Sequence, residues 1–342
     1  MKKSKWLALA GVALLSVGAL AACSSKSSTS GTTYGYVYNS DPESLDYITS
    51  NTGPTKTAVT NGVDGLMEAD KYGNLVPSVA EDWSVSQDGL TYTYKIRKGV
   101  KWYTSDGEEY ADVTAKDFVT GLKHAADGKS GALYLVQDSI AGLSDYLSGV
   151  NKDFSNVGVK AIDDYTLQYT LKKPEPYWNS KTTYGLLFPV NEDFLKNKGK
   201  DFGKSTDPTS ILYNGPFILK SLTAKSSIEL TKNENYWDKK NVHFDAIKLS
   251  YYDGSDQEAL ERGFTDGAYS LARVYPTSSN YSSVEKKYKD NIYYTAAGAS
   301  TSAIGVNIDR QSYKFSAKKT DAEKTSTKKA LLNKDFRQSI NF

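Results

Sequence analysis

Residues Gly73 to Tyr103 read GNLVPSVAEDWSVSQDGLTYTYKIRKGVKWY, and the last third of this stretch sets the architecture. Leu90, Tyr92, Tyr94 and Ile96 alternate with Thr91, Thr93, Lys95 and Arg97, the period-two pattern of a strand with one dry face. Asp88-Gly89 precedes this strand and Gly99 ends it; both are residues that accept the tight backbone angles of turns. The stretch is therefore expected to fold as a hairpin. Thr, Tyr and Ser dominate other runs of the same kind, and 26 of the 342 residues are tyrosine. A mixed α/β fold rich in β follows, with no repeat of fixed period.

Working outward, Tyr34–Tyr38 reads as a first strand, followed by an Asn39-Ser40-Asp41-Pro42 turn. Ala161 to Leu171 reads as a second hairpin that turns at Asp163-Asp164, with Leu167, Tyr169 and Leu171 alternating, and Pro174 and Pro176 stop that sheet. Further strands are expected around Ile228–Leu230 and at Ile247, Leu249 and Tyr251. Thr114, with Asp117 three places on, caps a helix whose Phe118, Val119 and Leu122 share one face, a packing pattern. Ser255 and Glu258 have the same spacing and predict a capping box for a helix through Leu260 and Arg262.

The chain begins with Lys2, Lys3 and Lys5, then an apolar run from Trp6 to Ala22. This is the layout of a secretory signal; a membrane-spanning anchor is the rival reading, weakened by the many Gly, Ala and Ser residues. Leu20-Ala21-Ala22-Cys23 resembles a lipobox, which implies signal cleavage after residue 22 and a lipid anchor on Cys23. Cys23 is the only cysteine, so no intramolecular disulfide is possible. Ser24 to Thr33 is a polar, small-residue tether. Cleavage removes three of the 42 basic residues and none of the 40 acidic ones, so a net charge of +2 becomes −1. No dense basic stripe is present to neutralise phosphates, which argues against nucleic acid.

Catalytic and metal chemistry find little support. His124 and His243 are the only histidines, they are far apart, and neither has the Cys, His or Asp/Glu spacing of a metal site. His124 follows an apolar helix face and is expected to be a partly exposed helix residue. Neither a G-x-S-x-G elbow nor a G-x-x-x-x-G-K-[ST] loop occurs. The chain reads as a non-enzyme with no cofactor.

The order Gly73, Leu75-Val76-Pro77-Ser78-Val79-Ala80-Glu81-Asp82-Trp83, Asp88-Gly89-Leu90-Thr91-Tyr92 and Arg97-Lys98-Gly99-Val100-Lys101-Trp102 resembles the signature of the peptide/nickel class of extracellular solute-binding proteins. Within that class the chain is most similar to the Ami/Ali-type oligopeptide-binding lipoproteins of Gram-positive bacteria. Asn214-Gly215-Pro216-Phe217, a strand, and then Asn233-Glu234-Asn235-Tyr236-Trp237 resemble the second signature of the class, and Arg262-Gly263 with Asp266 resembles a third element. The resemblance implies a periplasmic-binding-protein-like two-lobed fold with an extra N-terminal domain. Residues 1–22 then form the signal and 23–33 the lipidated tether. Residues 34–65 and 205–304 form the first ligand-binding lobe and 66–204 the extra subdomain. Residues 305–342 form the hinge and the start of a second lobe that is largely missing, because the resemblance covers about half of a family member.

By the same resemblance, the function is that of a lipid-anchored receptor on the outer face of the membrane, a monomer that passes oligopeptides to an ABC permease driven by separate ATPase subunits. Main-chain contacts would hold the peptide between lobes. Ser44-Leu45-Asp46 matches the S-L-D motif of the class, and the loop beyond it, with Ser50, Asn51, Thr52 and Gly53, is either a ligand contact or a plain surface loop. Thr301, Ser302 and Ala303, in the segment Thr295–Asn307, are expected to add edge-strand contacts. Trp83, Trp102 and Trp237 lie in the signatures and are read as packing residues; Trp178 stays open as a ligand-facing ring, which would suit an oligosaccharide. A non-transporting remnant or an adhesin-like surface antigen is the alternative from another class.

Overall fold

The computed structural model describes residues 32–294 and 303–340. By internal packing the chain divides after Val284 into two units, each described by itself. The first unit is built on two four-stranded sheets. One has the order β1-β12-β11-β10, with β1 at Thr33–Tyr38, β10 at Phe217–Thr223, β11 at Ser227–Lys232 and β12 at Ala246–Tyr251. The last three form an antiparallel meander, whereas β1 runs parallel to β12, pairing Thr33 with Ala246 and Tyr38 with Tyr251. A parallel pair needs a crossover, and here the crossover contains the whole second sheet. The chain is already tied down at Thr32, whose N–H donates to Asp245 at 2.7 Å.

The second sheet is antiparallel throughout, in the order β4-β5-β9-β8, with β4 at Ala80–Val85, β5 at Thr91–Ile96, β8 at Val159–Asp163 and β9 at Thr166–Thr170. The expected hairpin is β4–β5, pairing Val85 with Tyr92 and Trp83 with Tyr94. Among the described residues two short ribbons, β2 (Met67–Ala69) with β3 (Leu75–Pro77) and β6 (Lys101–Tyr103) with β7 (Glu109–Asp112), complete the strands. The helices are α1 (Gly53–Val59), α2 (Ala115–Asp127), α3 (Leu143–Ser148), α4 (Trp178–Lys181), α5 (Glu192–Lys198), α6 (Glu258–Thr265), α7 (Tyr281–Lys287), α8 (Asp321–Leu332) and α9 (Lys334–Ser339). Among the described residues no helix is long and apolar enough to cross a membrane.

The dry face of the second sheet follows the alternation read from the sequence. Tyr92, Tyr94, Ile96, Leu167, Tyr169 and Leu171 are all buried. Trp178, the one tryptophan left open as a ligand-facing ring, is also fully buried. It packs on Tyr169 and Tyr92 with ring centroids 5.3 and 6.3 Å apart. The cause is the turn before it. The Tyr92 hydroxyl donates to the Glu175 carbonyl at 2.7 Å and Tyr94 donates to Asn179 at 2.6 Å, which fastens the start of α4 onto the sheet. The Glu175 carboxylate, itself buried, receives Lys181 Nζ at 2.8 Å, so its charge is paired. The exposed ring in this segment is that of Tyr177.

Helix α2 covers the sheet beside β8 and β9. Its Phe118 and Leu122 are fully buried, each worth roughly 1.5–3 kcal/mol of transfer from water. Asp117 does what the capping pattern asks: it accepts the Thr114 N–H at 2.9 Å and also Trp102 Nε1–H at 3.0 Å. The Ser255 capping box does not form. Helix α6 starts at Glu258, and Asp256 accepts the N–H groups of Glu258 and Ala259 at 3.0 and 3.2 Å, while Ser255 turns back onto Asp253. A carboxylate one residue later took the capping role.

The two signatures meet at one junction between the sheets. Asp64 N–H donates to Asn214 Oδ1 at 2.7 Å, and the Asp64 carboxylate accepts the Tyr236 hydroxyl at 2.7 Å. Asn233 donates to the Gly215 carbonyl at 3.0 Å, and the Tyr103 hydroxyl donates to the Asn235 carbonyl at 2.9 Å. The Arg97 guanidinium stacks over Trp237 at 4.1 Å. A Cβ on Gly215 would come within 2.8 Å of the Gly62 backbone, so only glycine lets the chains approach this closely.

In the second unit, Thr320 and Glu323 cap α8, with the Thr320 N–H 2.8 Å from Glu323 Oε2. Asn333 caps α9 through the Phe336 N–H at 2.9 Å. Most of Thr295–Asn307 lies outside the described residues.

Burial pushes the Asp117 carboxyl up to about 6, against the pull of its Thr114 and Trp102 donors. The unfolded chain therefore ionises this group before the folded one does, so folded stability falls as pH rises from about 4 to about 6 and then levels. Thermal melts from pH 3.5 to 8 should show the wild type losing stability relative to Asp117→Asn across that window; a flat or rising difference contradicts this assignment.

Candidate functional site

The turn after β1 builds the site from its own side chains. Ser44 Oγ donates to the Gly203 carbonyl at 2.9 Å and accepts the Asp46 N–H at 3.0 Å. Leu45 N–H donates to the same carbonyl at 2.7 Å. Gly203 has φ +72°, and a Cβ there would fall 2.4 Å from the Asp46 nitrogen, so a side chain at this position is excluded twice. Asp46 Oδ1 accepts the N–H groups of Ile48 and Thr49 at 3.0 and 3.1 Å. Its Oδ2 accepts the Thr49 hydroxyl at 2.6 Å and meets His124 Nε2 at 2.8 Å. Burial works to raise the pKa of this carboxyl, but the hydrogen bond and charge of His124 and the Thr49 donors outweigh it and hold it below the ordinary range.

Beyond that turn the chain lines a cavity of about 250 Å³. Ile48, Val59, Val63, Leu186 and Phe188 give it apolar walls, and Ser50, Asn51, Lys56 and Tyr184 bring polar groups. The exposed Lys56 ammonium sits 5.9 Å from the Tyr184 ring centroid. Pockets that enclose a whole drug-sized ligand measure about 300–1,000 Å³; this one suits a single large side chain. Its far wall is held in place by Tyr47, whose hydroxyl donates to the Pro189 carbonyl at 2.9 Å.

The expected site residues separate into groups. Ser50 and Asn51 line the cavity. Thr52 stands at the N-cap position of α1, and its hydroxyl joins a cluster in which Ser50 Oγ lies 2.9 Å from Thr55 Oγ1 and 3.2 Å from Thr52 Oγ1. Gly53 is the first residue of α1, not part of the loop, and has open space where a Cβ would be. Ala303 is a described residue of the second unit, whereas Thr301, Ser302 and Cys23 lie outside the described residues.

His124, read from the sequence as a partly exposed helix residue, has about a fifth of its side chain exposed and is bonded to Asp46. Its partner is 78 residues away, which no local pattern signals. The wall at Tyr184–Phe188 was missed for the same reason: its position depends on the contact with Tyr47. Among the described residues no group of three or more His, Cys, Asp or Glu side chains could hold a metal ion.

The family profile described as bacterial extracellular solute-binding proteins, family 5 Middle, matches residues 74–342. The oligopeptide-binding protein AmiA of Streptococcus pneumoniae serotype 4 is 67% identical over 345 residues, covering 100% of this chain and 52% of AmiA. The oligopeptide-binding protein SarA of Streptococcus gordonii is 62% identical over 350 residues, covering 100% of this chain and 53% of SarA. The chain thus spans about half the length of the curated relatives it matches. Among solved structures, Listeria monocytogenes OppA bound to peptide superposes with a TM-score of 0.67 at 28% identity, over 77% of this chain and 50% of that one. Its fold is that of the oligopeptide-binding proteins, and the chain belongs to the family 5 bacterial extracellular solute-binding proteins.

Proposed function

We propose that this chain takes up oligopeptides outside the cell and delivers them to an ABC importer whose permease and ATPase are separate subunits. The observation that carries the reading is the cavity beside Ser50 and Asn51: apolar walls, a polar rim, and room for one side chain. A receptor that holds a peptide by its main chain needs such pockets to accept side chains without demanding one sequence. The names of AmiA and SarA, both oligopeptide-binding, point the same way. Burial of Trp178 removes the one ring kept open for a sugar ligand.

On this reading residues 34–65 with 205–304 are the first ligand-binding lobe, residues 66–204 are the extra subdomain, and residues 305–342 lead into the second lobe. Peptide lies against Ser50, Asn51, Thr52 and Gly53, and Thr301, Ser302 and Ala303 are proposed as further peptide-contact residues. The protein acts without chemistry of its own, as a monomer. Cys23 carries the lipid that keeps it on the outer face of the membrane, since two acyl chains suffice for stable attachment and one does not.

Calorimetric titration of the full chain with a pool of short peptides should give saturable heat and a raised melting temperature. No heat from a chain that melts cooperatively contradicts peptide uptake. Cys23→Ala should move the protein from the membrane fraction to the medium; a variant that stays with the membrane contradicts lipid anchoring.

A further inference from the structure

We propose that His124 is a positioning residue for the peptide site: through Asp46 it fixes the backbone of residues 48–51 and so sets where Ser50 and Asn51 stand on the cavity rim. This rests on the reading of that cavity as a peptide site.

The chain of contacts is continuous. His124 lies in the last turn of α2, where its ring meets Phe202 edge-on with centroids 5.3 Å apart. With the ring so placed, Nε2 points at Asp46 Oδ2 from 2.8 Å. Asp46 is held ionised, and an ionised carboxylate only accepts, so Nε2 carries the hydrogen. The other carboxylate oxygen orders the Ile48 and Thr49 amides. Just past α2, Ser130 Oγ donates to the Ile48 carbonyl at 2.8 Å. The loop is thus gripped at amide and carbonyl from one helix end, and the next two residues, Ser50 and Asn51, form the rim.

Removing His124 leaves Asp46 with only its local donors. Those can close the turn, but they cannot anchor it to α2. A hydrogen bond to a charged group is among the stronger ones, so its loss should open the turn measurably. The geometry also allows rescue, because a glutamine amide at position 124 can donate to the same oxygen.

The test compares the full wild-type chain with His124→Ala and His124→Gln by amide hydrogen exchange and by peptide titration. In His124→Ala the amides of residues 48–51 should exchange about tenfold faster, with α2, β5 and β9 unchanged. The peptide Kd should rise about threefold or more, and His124→Gln should restore both values. The proposal is overturned if exchange at 48–51 stays at the wild-type rate, if it rises equally across the whole unit, if Gln fails to restore it, or if Kd in His124→Ala is unaltered. A wild-type chain that takes up no peptide overturns the reading of the cavity as a peptide site, and the exchange pattern then decides by itself whether His124 holds the loop.

Discussion

One carboxylate organises the region on which the functional reading depends. Asp46 is nearly buried and has left water, a loss that only strong partners offset. It has four: two backbone amides, a hydroxyl and an imidazole. Three of these donors belong to its own turn and the fourth to α2. Local closure and long-range anchoring therefore converge on the same side chain. The loop leaving this turn forms the cavity rim, so its position is set by α2 and the residues just after it as well as by the strand it follows.

A second constraint makes this possible. Because β1 pairs in parallel with β12, the chain between β1 and β10 must leave this sheet and return to it, and that excursion contains the second sheet. The return is closed at the junction of Asp64, Asn214 and Tyr236, reinforced by Arg97 stacked on Trp237. Arg97 and Tyr103 from the Gly73–Tyr103 stretch meet Trp237 and Asn235 of the second signature here, although the two are far apart along the chain. Groups that share one network respond jointly when any of them is changed.

The strands were legible because their period-two alternation is local, and Tyr92, Tyr94, Leu167 and Tyr169 face inward as that alternation requires. The cap at Thr114 was legible for the same reason. Ser255 was misread because Asp256, a stronger acceptor in nearly the same place, competes for the same amides. Trp178 could only be left open, because proline-flanked composition marks an end of sheet without telling which ring turns inward; the bonds from Tyr92 and Tyr94 decide that. Loop residues Ser50 and Asn51 were readable as a site only through the family resemblance. The helix place and partial exposure of His124 were readable, but its bond to Asp46 and the Tyr184–Phe188 wall were not, since only tertiary contacts bring those groups together.

The central claim is that peptide is held against the rim formed by the Asp46 turn and α1. Covalent trapping of a short peptide carrying a photoreactive side chain, with the attachment points mapped by mass spectrometry, tests it most directly. Attachments concentrated in residues 47–60 and 183–188 are the result predicted. Attachments confined to other surfaces, such as the exposed Tyr134 beyond α2 or the face of the β1-β12-β11-β10 sheet, would contradict it.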